Sequence, residues 1–208
     1  MSTHSSGAIG ADNHTLDELT AASSRRDFLA ELDAAKLSAD REALPFVLCL
    51  VDIDQLRNVN DRHGQDAGDA VLRELAERTS TAIALAQWQA FRGLVARFDG
   101  DSLMVLLRGA RLRDGEQLAE ELRRSVAGRP FVDGLRMTIS LAVTAYRSGE
   151  SVDALLARTE QTLHLAKQFG CDCVEIARTP EMQQRHAAAV ATSADAGDGR
   201  HPLSWRRR

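Results

Sequence analysis

Four carboxylates in two short stretches are the residues of this 208-residue chain with the clearest chemical potential. Asp52 and Asp54 follow the apolar run 46–51 (FVLCLV), and Asp99 and Asp101 lie between the apolar runs 94–98 and 103–107 in VARFDGDSLMVLL. Asp-Gly between two strand-like runs signals a β-hairpin, because a primed turn needs residues that tolerate positive φ. The turn is expected at Asp99-Gly100, with Asp101 at its tip and beside the end of the strand that carries Asp52. Two carboxylates converging at adjacent strand ends suit Mg²⁺, which takes oxygen ligands and completes its shell with substrate phosphates. The chemistry open to such a pair is metal-assisted phosphoryl transfer, in which one ion activates a hydroxyl and another steadies a leaving pyrophosphate. Asp54 reads more simply as a cap for the helix that follows it.

The elements that must position these groups can be read from periodicity. Ser24 and Asp27 form a helix N-cap pair, followed by an apolar stripe at Phe28, Leu29, Leu32 and Leu37. Pro45 ends that helix, and residues 46–51 read as a central strand buried on both faces. A short helix and a Gly64/Gly68 loop follow, after which Asp69 is expected to open a long helix through Val71, Leu72, Leu75, Ala76, Thr79 and Ile83. Beyond the hairpin, residues 116–126 read as an amphipathic helix. Residues 135–144 alternate as a half-buried strand, and 151–169 read as a helix closed by Gly170. Residues 173–177 make a last strand. The result is an α+β fold, with helices flanking an antiparallel-rich central sheet.

Bulk properties narrow the function. With 44% apolar and 27% charged residues the chain reads as one globular domain with tails. A net charge of −4 gives no electrostatic case for nucleic acid. Cys49, Cys171 and Cys173 fit neither a disulfide framework nor the ligand spacing of structural zinc. No apolar run approaches the roughly 20 residues of a membrane span, so a reducing cytoplasm is the expected location. Residues 1–15 and 179–208 read as disordered tails around a domain at 16–178, and the terminal Trp205-Arg206-Arg207-Arg208 reads as solvated.

The hairpin resembles the signature of GGDEF domains, the diguanylate cyclases, whose motif Gly-Gly-Asp/Glu-Asp/Glu-Phe stands here as Asp99-Gly100-Asp101-Ser102-Leu103. The opening of the chain resembles the family's entry motif at Asp17, Leu19, Thr20, Arg25 and Arg26. The resemblance implies the palm-like fold shared with adenylyl cyclases and polymerases. It also implies Mg²⁺ at Asp52, Ile53 and Asp101, and a guanine pocket at Asn60 and Asp69. Phosphate contacts would fall to Arg57 and Lys167, with Arg57 in the place of a lysine. The family's inhibitory Arg-x-x-Asp site for cyclic di-GMP falls on Ala90 and Gly93, so product binding there is not expected.

Four positions that bear on the chemistry depart from the pattern. Ser102 replaces an acid with a group that is uncharged at pH 7. Asp99 replaces the glycine that lets backbone approach phosphate. Cys171 stands where the family has an arginine, and Gln65 replaces a histidine. Three readings follow. The first is a degenerate, non-catalytic GGDEF domain, a regulatory or adaptor module of bacterial cyclic di-GMP signalling that binds GTP and a protein partner. The second is an active diguanylate cyclase with an unusual signature, working as a homodimer that joins two GTP. The third is a purely structural interaction domain. On the first reading no catalytic residues are expected.

Overall fold

The structure, a computed structural model, describes residues 15–85 and 91–177. The tails expected at either end, and Ala90, fall wholly or largely outside these residues. The described chain runs α1 (Arg25–Glu42), β1 (Phe46–Ile53), α2 (Leu56–His63), α3 (Gln65–Leu85), β2 (Arg92–Asp99), β3 (Ser102–Arg108), α4 (Leu112–Gly128), a 3₁₀ turn (Val132–Gly134), β4 (Ile139–Ala145), α5 (Val152–Gln168) and β5 (Val174–Ile176). The five strands form one sheet in the order β2-β3-β1-β4-β5. Its pairs are antiparallel except for β4 with β5.

β1 is central because its side chains are apolar on both faces. Val47, Cys49, Val51 and Ile53 join a core with Val71 and Leu75 of α3 and Leu118 and Leu122 of α4. Phe46, Leu48 and Leu50 point the other way, against Phe28 and Leu32 of α1 and Leu155 of α5. Helices therefore cover both faces, and the expected two-sided burial of 46–51 is what the sheet shows. Ser24 caps α1 by accepting from the Asp27 N–H at 3.3 Å.

Several local expectations are corrected. Leu37 is half exposed, and Ala35 takes the core position on α1, one helical turn beyond Leu32. The strand expected at 135–144 begins only at Ile139. It is buried on both faces, because α5 packs over Ser140, Ala142 and Thr144. The long helix starts at Gln65 rather than Asp69: α2 closes with the Gly64 N–H donating to the Asn60 carbonyl at 2.9 Å, and α3 follows at once. The hairpin turn is Gly100-Asp101, not Asp99-Gly100. Between Arg97 and Asp99 the register shifts by one residue, so Asp99 pairs with Ser102 and Phe98 forms a bulge. The Phe98 carbonyl accepts from Arg25, whose guanidinium also lies 4.3 Å above the Phe98 ring.

Candidate active site

The carboxyl end of β1 carries the first part of the site. Asp52 faces Ser102 of β3 on one side and Ser140 of β4 on the other. Paired Cα atoms lie at most about 5.5 Å apart and sequence neighbours about 3.8 Å, which brings Asp101 to within about 9 Å of Asp52, Cα to Cα. The charge of Asp101 is one of the influences that hold the Asp52 carboxyl above its ordinary range, although burial is the main cause and the Lys167 ammonium opposes it. Ile53 lies between the two acids with its side chain fully buried, so only its backbone carbonyl could serve a metal. Among the described residues no three His, Cys, Asp or Glu side chains converge as a metal cage. Two carboxylates and a carbonyl do suit Mg²⁺ that arrives with a nucleotide, because the phosphates and water supply the remaining oxygens.

Asp54 departs from the helix-cap expectation. Gln55, in the left-handed region at φ 59, occupies the cap position of α2 and makes no side-chain cap bond. The Asp54 carboxylate turns inward and is 4% exposed. It accepts from Thr138 Oγ1 at 2.6 Å, Ser140 Oγ at 2.7 Å, the Asp172 N–H at 2.9 Å and Lys167 Nζ at 2.8 Å. Burial pushes this carboxyl up, but the four donors outweigh it and the net shift is down. The reason is register: Ile53 pairs with Ile139, which places Asp54 beside the Thr138 and Ser140 hydroxyls.

Lys167, from the last turn of α5, donates to both Asp52 and Asp54. Burial lowers its pKa and the two carboxylates more than restore it, so the ammonium stays charged. The loop after α5 is strained: Gly170, Cys171 and Asp172 all have positive φ. Asp172 is held from outside by Arg123 at 2.7 Å while its N–H binds Asp54.

The α2–α3 junction carries the second part. Asn60, in the last turn of α2, packs against Gly68 of α3, where a Cβ would come within 1.8 Å of Asn60 Oδ1. That oxygen is buried and has no hydrogen-bond partner. Asp69 is the next residue on α3 and is half-buried. Arg57 is 93% exposed and lies 4.0 Å from Asp61, so the structure does not bring it to the Asp52–Lys167 cluster.

The hairpin turn is the third part. Asp99 Oδ1 accepts from the Gly100 N–H at 3.0 Å, and Ser102 Oγ donates to the Asp99 carbonyl at 3.3 Å. Arg97 donates to the Gly100 carbonyl at 2.8 Å and pairs with Asp17 at 3.4 Å, which ties the turn to the entry segment. Asp17 also accepts from the Thr20 N–H and hydroxyl. Ser23 bonds to both Val95 and Arg97, covering part of the β2 edge. Gly93 lies on β2 with Ile83 Cγ2 2.4 Å from where a Cβ would stand.

Sequence reasoning missed three contacts: the Asp54 hydroxyl pair, the Gly68 seat for Asn60, and the Arg97–Asp17 tie. For the first, the Thr138-x-Ser140 spacing at the start of the strand that pairs with β1 is the available signal.

Comparison with known proteins bears on the family and the fold. The family model described as diguanylate cyclase, GGDEF domain, matches residues 14–173. Diguanylate cyclase DgcP of Pseudomonas aeruginosa is 32% identical over 164 residues, covering 77% of this chain. The chain spans only 24% of that relative's length. The GGDEF domain of DgcB from Caulobacter crescentus, solved in complex with c-di-GMP, superposes with a TM-score of 0.72 at 25% identity, covering 82% of this chain and 99% of that one. Diguanylate cyclase SiaD of P. aeruginosa, solved with its activator SiaC, gives a TM-score of 0.69 at 32% identity, covering 77% of this chain and 61% of that one. Among the described residues, no helix is long and apolar enough to cross a membrane.

Proposed function

This chain belongs to the diguanylate cyclase GGDEF-domain family, and from that premise we propose that it is a GTP-binding regulatory domain of cyclic di-GMP signalling with a silent cyclase site. The observation that carries the reading is the buried Asn60 Oδ1 without a partner. A buried acceptor left empty is costly, and a ligand that brings a donor removes the cost. Guanine brings N1–H and N2–H₂ on one edge, and the neighbouring Asp69 carboxylate is an acceptor matched to that pair. Adenine has no such pair of donors on the equivalent edge, so GTP is favoured over ATP.

The silence follows from the hairpin. Ser102 offers a hydroxyl where the family has a carboxylate, and that hydroxyl is already turned to the Asp99 carbonyl. Asp99 adds negative charge where triphosphate would approach. Two unit charges 4 Å apart at an effective dielectric of 20 repel by about 4 kcal/mol, and half of that in the transition state costs more than tenfold in rate. Mg²⁺, when bound, would neutralise phosphate charge and lower the pKa of an attacking hydroxyl. Asp52, Asp101 and the Ile53 carbonyl would hold it, and Lys167 would meet the phosphates.

A working cyclase is the second reading, favoured by one observation: the register keeps Asp101 beside Asp52. That reaction needs two GTP-loaded domains face to face, hence a homodimer. A silent domain acts instead through a protein partner; the similar SiaD, itself a diguanylate cyclase, was solved with an activator protein, SiaC. Calorimetry of GTP and ATP with Mg²⁺, with a cyclic di-GMP assay on the same sample, separates the readings. GTP preference without product supports the proposal, and turnover near 1 s⁻¹, within the ordinary enzyme range, would assign a cyclase.

A further inference from the structure

Lys167 does more in this structure than wait for phosphate. Its ammonium is shared between Asp52 and Asp54, with 2.8 Å to Asp54 Oδ1. Asp52 is also the first carboxylate of the proposed metal set, which means that the lysine sits against Oδ1 of the carboxylate the ion would need. Asp54 cannot release the lysine by moving, because its oxygens are fixed by Thr138, Ser140 and the Asp172 N–H. The ammonium is therefore anchored on one side and contests Asp52 on the other.

We infer that Lys167 is an internal counter-cation that competes with divalent metal for Asp52, so that the site takes metal well only when a nucleotide draws the ammonium away. This rests on the metal set proposed above. Lys167 and the ion carry the same sign and share one carboxylate, so without nucleotide each weakens the other's hold on it. Triphosphate offers the ammonium a second anionic partner, and the vacated Asp52 oxygen then faces the ion. Metal and nucleotide bind cooperatively as a result, and by linkage each raises the affinity of the other by the same factor.

The test uses Mn²⁺ titrated into the full chain without nucleotide, with the free ion counted by its electron paramagnetic resonance signal. Lys167→Met should bind Mn²⁺ at least tenfold more tightly than wild type, about 1.4 kcal/mol. Lys167→Gln, which keeps one donor for the carboxylates and guards against loss of fold in the Met variant, should fall between the two. A non-hydrolysable GTP analogue should tighten Mn²⁺ binding to wild type by a similar factor. Asp52→Asn added to Lys167→Met should abolish the gain. Equal Mn²⁺ affinity for wild type, Lys167→Met and Lys167→Gln, with Asp52→Asn still weakening each, overturns the competition and leaves the metal set standing. No Mn²⁺ binding by any of them at millimolar ion, with or without the analogue, removes the metal set itself and the inference with it.

Discussion

The carboxyl end of β1 and the β2–β3 turn both present acids to the same corner of the sheet, yet they are built differently. At the β1 end, Asp54 is 4% exposed and its two oxygens accept from four donors: Thr138 just before β4, Ser140 in β4, Lys167 of α5 and Asp172 in the loop before β5. At the turn, Asp99 and Asp101 are exposed, and the side chains of Asp99 and Ser102 bond within the hairpin. A substitution at Asp54 disturbs the sheet, whereas one at the exposed Asp99 disturbs only what approaches the turn. The contrast shows how the fold and an inner cluster can remain whole while the signature changes. It also separates two carboxylates that share one lysine: the Asp54 shift is downward and the Asp52 shift upward.

The largest expected effect tests that contrast directly. Asp54→Ala leaves Lys167 and three other donors short of an acceptor, and should cost about 3–5 kcal/mol of unfolding free energy, read by urea denaturation. The penalty should depend on pH. Because the Asp54 carboxyl is held below its ordinary range, its contribution is full above that range and fades as the pH falls through the lowered value. The gap between wild type and variant should therefore narrow in strong acid; a gap that stayed constant down to the acid limit would show that the charge is not what matters.

Asp69→Ala comes next. Removing the acceptor for the guanine edge should lower GTP affinity by about 10 to 150-fold, the equivalent of about 1.5–3 kcal/mol, and erase the preference over ATP. Calorimetry checks it, and an unchanged preference would move base recognition elsewhere. Gly68→Ala should act on the same pocket without touching the base. Its methyl displaces the Asn60 amide, which lies 1.8 Å from the Cβ position. GTP affinity should drop about tenfold, roughly 1.4 kcal/mol, while folding stability changes by no more than about 1 kcal/mol, since alanine is the better helix residue.

Asp52→Asn should have the smallest effect. The Asp52 carboxyl is held above its ordinary range, mainly by burial, so the charged form is disfavoured in the fold. Neutralising it should leave stability unchanged or raise it by up to about 1 kcal/mol at neutral pH. The benefit should vanish as the pH falls below the ordinary carboxylate range, where aspartate is protonated in both states. A loss comparable to that of Asp54→Ala would contradict the asymmetry between the two acids.

Much of the fold was legible because it depends on pattern. The run 46–51 is apolar at every position, and such a strand is stable only between two layers of helices. The nearness of Asp52 and Asp101 could be read because each stands at the end of a strand-like run, whereas Asn60 and Asp69 are singled out by the resemblance, and Asp69 lies inside α3 rather than at its start. What escaped was set by tertiary register. Thr138, Ser140 and Asp172 lie 84, 86 and 118 residues from Asp54; the β1–β4 pairing brings in the first two, and the β4–β5 pairing brings in the loop that carries the third. The turn was misplaced by one residue because a bulge at Phe98, which shares its carbonyl and ring with Arg25, shifts the pairing. Asp-Gly would otherwise have set a primed turn, but Gly100 is not among the residues with positive φ.

The central claim is a base pocket that still binds beside a hairpin that no longer turns over. One titration tests it most directly: GTP into the full chain with Mg²⁺ by calorimetry, followed by chromatography of the same sample for cyclic di-GMP. The account predicts saturable GTP binding, weaker or absent ATP binding, and no product. Cyclic di-GMP accumulating at about 1 s⁻¹, or no GTP binding up to millimolar concentration, would contradict it.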